Sequence, residues 1–199
     1  MIQLINLFIV FLCLKGAYSS SLTEVQQDCI KKYSSSASND DLIGTWYSVY
    51  KFALFLNLLP SSTCPNTTIV KANRSEIQRY SEAYGPDNPY SFNDNAVLVN
   101  EDNSFYGMLM GNTQTRFYVF DPTSVFHKKD RVDAKVYLKI NDDYMLYHNC
   151  ALRGHERWLL SRRRDQTTEE IEQVLKSISS EVGRMETQRY CYCVSYCFD

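Results

Sequence analysis

The sequence predicts an all-β domain, an antiparallel sandwich or barrel, with one helix lying outside the sheet. Three observations carry that prediction. Short strand-like runs recur along residues 44–162, separated by turn clusters such as Glu101-Asp102-Asn103 and Asn141-Asp142-Asp143. Val132, Ala134, Val136, Leu138 and Ile140 alternate with Asp133, Lys135, Tyr137 and Lys139, a strict period of two that assigns one face to a core and one to water. After the last run the period changes. Thr167 and Glu170 form a capping box, and Ile171, Val174, Leu175 and Ile178 follow at helical spacing.

Each element has its own local reason. Residues 4–14 are apolar apart from Asn6, and Ala17-Tyr18-Ser19 places small residues where a signal peptidase reads. Residues 1–19 are therefore expected to be a secretory signal and 20–199 a single domain. The apolar run is too short to span a bilayer, so no stable membrane insertion is expected. Residues 34–41 are polar and read as a loop. Trp46, Ser48, Tyr50 and Phe52 then share one face of a strand. Residues 54–59 are apolar with no clear period and stop at Pro60. Residues 67–72 and 76–84 read as strand, in one bent piece or two, ahead of the turn-dense Gly85-Pro86-Asp87-Asn88-Pro89. Further strands are expected at 96–101, 104–110, 115–121, 132–140, 144–150 and 156–162. That makes eight, or nine if the second splits. The tail 188–199 is rich in cysteine and tyrosine and shows no period.

Composition narrows the function. A chain of 199 residues suits one ordinary domain. Cys13 leaves with the signal. Cys29, Cys64, Cys150, Cys191, Cys193 and Cys197 remain, an even set that reads as three disulfides among fifteen possible connectivities in a secreted chain. Asn66-Thr67-Thr68 and Asn73-Arg74-Ser75 are glycosylation sequons. A formal charge of −2 without a basic stripe speaks against a nucleic-acid partner. The run Arg162-Arg163-Arg164 reads as a solvated strand end. No Ser/His/Asp set and no metal-spaced His/Cys set appears, and Cys191-Tyr192-Cys193 lacks a partner pair, so neither catalysis nor a metal or cofactor is expected. His127, His148 and Arg162 could suggest haem or anion binding, but a lone strand histidine is more often packed or solvated. The 15 tyrosines and 10 phenylalanines favour flat ligands that stack on rings, although strands are aromatic-rich in any case.

Gly44-Thr45-Trp46-Tyr47 and Trp158-Leu159-Leu160-Ser161-Arg162, with the helix that follows, together resemble the lipocalin family. Its first strand carries G-x-W, and its last ends in an arginine stacked over that tryptophan. A barrel end must be plugged, and an indole capped by a planar guanidinium does so. The resemblance covers residues from about 29 to 178. It is greatest to the arthropod bilin-binding and apolipoprotein D group, through Tyr144-Met145-Leu146-Tyr147-His148-Asn149-Cys150 and the Trp158 strand. The family's second motif, T-D-x-x-x-Y, is reduced here to Lys139-Ile140-Asn141-Asp142-Asp143-Tyr144, where the tyrosine alone matches cleanly.

The resemblance implies an eight-stranded antiparallel up-and-down barrel with one C-terminal α-helix packed outside. Gly44, Trp46, Tyr144 and Arg162 would be its structural motif. Cys29 would bond Cys150, Cys64 would bond a tail cysteine, and the other two tail cysteines would pair together. Residues 54–59 would be a loop over the cavity mouth or the buried end of the first strand. Such a barrel holds one small ligand. Alternation suggests Tyr50, Phe52, Val97, Val99, Phe117, Val119, Val136 and Leu138 as lining, with His148 the one histidine placed to see the cavity.

The implied function is a secreted, extracellular carrier of a small hydrophobic molecule such as a pigment, retinoid, fatty acid or other lipid. A second reading is also implied, because some lipocalins of blood-feeding arthropods scavenge biogenic amines or inhibit host proteins through their loops. Amine capture needs acidic side chains turned inward, and Glu76 and Glu101 are the candidates. A few lipocalins catalyse isomerisation with a free cysteine in the cavity, whereas all six mature cysteines here can pair.

Overall fold

The computed structural model describes residues 22–33, 36–53, 64–85, 92, 93, 95–101, 105–111, 116–125, 132–151, 156–183 and 186–189, the backbone alone at 105 and 186–189. The expected signal, the 54–59 run, His127, Cys191, Cys193 and Cys197 lie outside these residues. Eight strands follow one another around the sheet: β1 (Gly44–Ala53), β2 (Asn66–Lys71), β3 (Val97–Glu101), β4 (Phe105–Gly111), β5 (Arg116–Phe120), β6 (Asp133–Lys139), β7 (Tyr144–Asn149) and β8 (Glu156–Ser161). From β2 to β8 each pairs antiparallel with the next. β1 closes the ring, pairing with β8 along one edge and with β2 along the other. A closed up-and-down barrel leaves no such edge open. A short ninth strand, β9 (Glu186–Arg189), pairs with Tyr50–Ala53 on the part of that β1 edge beyond β2.

Helices wrap the outside on three sides, where the sequence reading placed one. α1 (Glu24–Lys32) opens with a Thr23/Gln26 capping box and lays Cys29 and Tyr33 on Ala134, Val136 and Cys150. Cys29 is bonded to Cys150 with their Cα atoms 5.8 Å apart, which fixes α1 to the wall. Cys64 is also disulfide-bonded, to a cysteine outside the described residues. The short α2 (Asn39–Leu42) crosses one end of the barrel. α3 (Arg74–Tyr84) corrects the strand expected at 76–84. Asn73 caps it, its side chain accepting from the Glu76 N–H while Glu76 reaches back to the Asn73 N–H, and Ile77, Tyr80 and Tyr84 then recur at helical spacing against Met108, Met110 and Val119. α4 (Thr168–Ser177) begins where Thr167 accepts from the Glu170 N–H at 3.1 Å. It buries Ile171 and Val174 on Val49, Phe52, Leu146 and Leu159, and α5 (Ser179–Val182) continues it.

Strand register decides which residues face the lumen. Directly paired residues share a face. One face runs through Trp46, Ile69, Val99, Leu109, Tyr118, Lys135, Tyr147 and Leu160. The opposite face carries α1, α3 and α4, so this one is the inside. β1 changes parity midway. Ser48 pairs with Leu160 but Tyr50 with Leu159, which leaves Val49 as a bulge. Beyond it Lys51 turns inward while Tyr50 and Phe52 turn outward. The double substitution Cys29→Ser with Cys150→Ser should lower unfolding free energy by about 3–5 kcal/mol, read by urea denaturation, because the bridge closes a loop of more than a hundred residues.

Candidate functional site: the barrel interior

The closed end is built from residues 36–46 and the first turn after β8. Trp46 is buried and donates from its indole N–H to the Leu42 carbonyl at 2.8 Å. The Arg162 guanidinium lies 3.6 Å above the indole and donates to the Asp41 carbonyl at 2.8 Å. Gly44 has φ +118°, and a Cβ there would sit 2.3 Å from Arg162 Nη1, so the glycine supplies both the backbone conformation and the space the arginine occupies. Arg116 reaches down from β5 to the Asn39 side chain at 2.9 Å and to the Ala37 carbonyl. Asp41 accepts from Lys139 at 2.8 Å, and that contact together with Ser38 pulls its carboxyl down to about 2. Above this floor Ile69, Val97, Val99, Leu109, Met145 and Leu160 form an apolar layer.

The half away from the plug has a different character. Lys135 is 4 % exposed and donates to Glu101 Oε1 at 2.8 Å. β3 and β6 are separated by two strands, so this pair crosses the lumen. The ammonium lies 3.8 Å from the Tyr118 ring centroid and 5.2 Å from that of Tyr147, which stacks on Tyr137. Burial alone would lower the Lys135 pKa, but Glu101 and the surrounding tyrosines outweigh it and hold the group well above its usual value, so it stays charged. A second pair joins Lys51 to Glu156, with Lys51 4.6 Å over the Trp158 ring. In both pairs the ammonium is the buried partner: side-chain exposure is 5 % for Lys135 against 36 % for Glu101, and 12 % for Lys51 against 37 % for Glu156.

Of the lining residues read from alternation, the structure brings Val97 and Val99 together inside. The others face outward. The Val49 bulge turns Tyr50 and Phe52 beneath α4. Phe117 and Val119 pack under α3, Val136 under α1 and Leu138 beside α4. The alternation in β6 was real but its sense is inverted, because helices keep water from its apolar face while its polar face lines the lumen. His148 also points out, its ring 4.3 Å from that of Tyr33. Burial, and then Arg157, lowers its pKa to about 3. Alternation missed Lys51, Tyr118, Lys135, Tyr147 and Trp158, and the signal available was the regular Asp133/Lys135/Tyr137 series itself. Glu76 lies outside as part of the α3 cap, whereas Glu101 does reach the lumen.

Among the described residues no group of three or more His, Cys, Asp or Glu could hold a metal ion, and no helix is long and apolar enough to cross a membrane. The sequence matches no protein-family model and no curated protein. Solved structures with a similar course of chain include apocrustacyanin C2 (10% identity, TM-score 0.47, 87% of this chain and 89% of that one) and lobster apocrustacyanin A1 (9%, 0.46, 85% and 87%). The cockroach allergen Per a 4 is a third (10%, 0.46, 81% and 94%). The barrel assignment stands on the strand register itself.

Two outcomes are expected from these contacts. Gly44→Ala should cost about 3 kcal/mol in urea denaturation, against about 1–2 for Gly183→Ala, since both have positive φ but open space surrounds Gly183. His148 is held neutral when folded, with a pKa below the ordinary 6.5, so the unfolded chain binds more protons. Stability should therefore be full above pH 6.5 and fall as pH drops toward about 3. His148→Phe should remove that slope, seen as a smaller loss of melting temperature between pH 7 and pH 5.

Proposed function

We propose that the protein is a secreted, lipocalin-type binding protein that holds one small, largely hydrophobic molecule inside its barrel. The observation that carries this reading is a closed barrel sealed at one end by Trp46 beneath Arg162, with an aromatic interior toward the other. A ligand there gains mainly by leaving water, at about 25 cal/mol per Å² of apolar surface before the costs of binding, while a few polar groups orient it. Tyr118, Tyr137, Tyr147 and Trp158 offer flat faces to a conjugated or ring-bearing body. That suits the kinship suggested by the Tyr144–Asn149 strand, which favours a pigment-like or retinoid-like ligand over a plain lipid.

Secretion is supported by the signal pattern of residues 1–19 and by two disulfide-bonded cysteine sites, Cys29–Cys150 and Cys64. Glycosylation fits the same compartment. Asn73 is exposed at the cap of α3, and Asn66 lies on the outer face opposite Tyr47, so a glycan on either would leave the lumen clear.

Amine scavenging is the second reading, favoured by one observation. Glu101 and Glu156 are the more exposed members of their pairs, so the mouth offers carboxylate to an arriving cation. The test is titration of the purified protein with N-phenyl-1-naphthylamine, followed by displacement, alongside calorimetry with histamine and serotonin. Saturable one-site uptake of the apolar probe is expected. Heat from the amines without probe uptake would favour scavenging, and silence in both assays would reject a binding barrel.

A further inference from the structure

We propose that the ligand's head group is a hydrogen-bond-accepting oxygen, a carboxylate or carbonyl, seated in the lumen against the Tyr118 hydroxyl and the Lys135 ammonium. This rests on the ligand-binding reading above and names the chemistry of that same site.

The argument begins with a buried group that lacks a partner. Tyr118 is 2 % exposed, and its hydroxyl has no hydrogen-bond partner among the described residues. A buried hydroxyl left unpaired costs about 1–3 kcal/mol. Its position follows from the register. Tyr118 pairs with Leu109, yet its ring lies over Gly107, one inward-facing position nearer the mouth. A Cβ on Gly107 would fall 2.3 Å from the Tyr118 hydroxyl oxygen, so the bare glycine backbone is what admits the phenol there. The hydroxyl is thereby aimed up the barrel, on the side of Glu101.

Beside it stands a second donor. The Lys135 ammonium carries three N–H bonds; Glu101 takes one at 2.8 Å and the Tyr147 hydroxyl another, which leaves one. The ring faces of Tyr118 and Tyr147 offset the charge but accept no conventional hydrogen bond. The Glu101 carboxylate, more than a third exposed, can draw its remaining partners from water. The deep part of the site is thus rich in donors and poor in acceptors. A ligand oxygen would satisfy the phenol and a free ammonium proton together, with a charge-assisted bond in the second case. A ligand ammonium would bring further donors beside a buried cation. The carboxylates that make the mouth attractive to amines lie above this point, at the solvent edge.

Three probes with the same alkyl tail test the assignment by calorimetry: laurate, methyl laurate and dodecylamine. Laurate should bind about tenfold more tightly than dodecylamine, with methyl laurate between them. Tyr118→Phe should remove about tenfold of the preference for both oxygen-bearing probes and leave dodecylamine unchanged. The ligand-free Tyr118→Phe protein should melt at or above the wild-type temperature, because the lost hydroxyl had no partner. Dodecylamine binding as tightly as laurate, Tyr118→Phe binding laurate as the wild type does, or a clear drop in its melting temperature would each overturn the proposal. If none of the three probes binds while N-phenyl-1-naphthylamine does, the head-group proposal fails and the binding barrel stands; if N-phenyl-1-naphthylamine and the amines are silent as well, the reading beneath it fails too. Equal binding of all three would sink the head-group assignment alone.

Discussion

The stack of the Arg162 guanidinium on the Trp46 indole is the contact on which the barrel's architecture turns. Trp46 stands on the first strand and Arg162 just past the eighth, so one interaction joins the two ends of the ring at its closed pole. It also organises its neighbours. The indole N–H and the guanidinium both end on carbonyls of the segment around α2, which draws that short helix across the opening. Arg116 and the Lys139–Asp41 pair hold the same segment from the opposite strands. Gly44 is the geometric condition for all of this, since any side chain there would collide with the arginine. The motif is a packing solution in which tryptophan, glycine and arginine are required together.

The polarity of the wall is the second organising feature. In a barrel washed by solvent, apolar side chains turn in and polar ones turn out. Here α1, α3 and α4 cover much of the outer surface and bury an apolar face beneath each helix. The lumen can then hold charge, provided the charges are paired. Lys135–Glu101 and Lys51–Glu156 meet that condition, each with its ammonium over a ring. The interior is therefore layered. An apolar floor lies over the tryptophan plug, and an aromatic and charged layer lies above it.

Much of this was legible in particular residues, and the misses have physical causes. The β6 alternation was read correctly as a strand, but the face assigned to water is the buried lumen side, because periodicity cannot say which side of a sheet a helix will cover. In β1 the bulge at Val49 inserts one residue and reverses every later assignment, and nothing in Val-Tyr-Lys-Phe announces it. The Glu76–Tyr84 segment carries β-compatible tyrosines and isoleucine. Its helical signal was the Asn73/Glu76 pair ahead of Ile77, Tyr80 and Tyr84, with Asn73 also the first residue of the sequon Asn73-Arg74-Ser75.

The sequence by itself determined the strand content, the C-terminal amphipathic helix, the tryptophan and arginine that meet at the closed end, and, through its resemblance, the Cys29–Cys150 bridge. These follow from local periodicity, caps and motif spacing, which a linear chain records. Only the tertiary structure decided which face of each strand is the inside, that Tyr118 and Lys135 share the lumen while His148 leaves it, and that Lys135 reaches across the barrel to Glu101. Those outcomes depend on register, on one bulge and on helices arriving from distant parts of the chain. They are set by the closure of the ring, and no single segment carries that information.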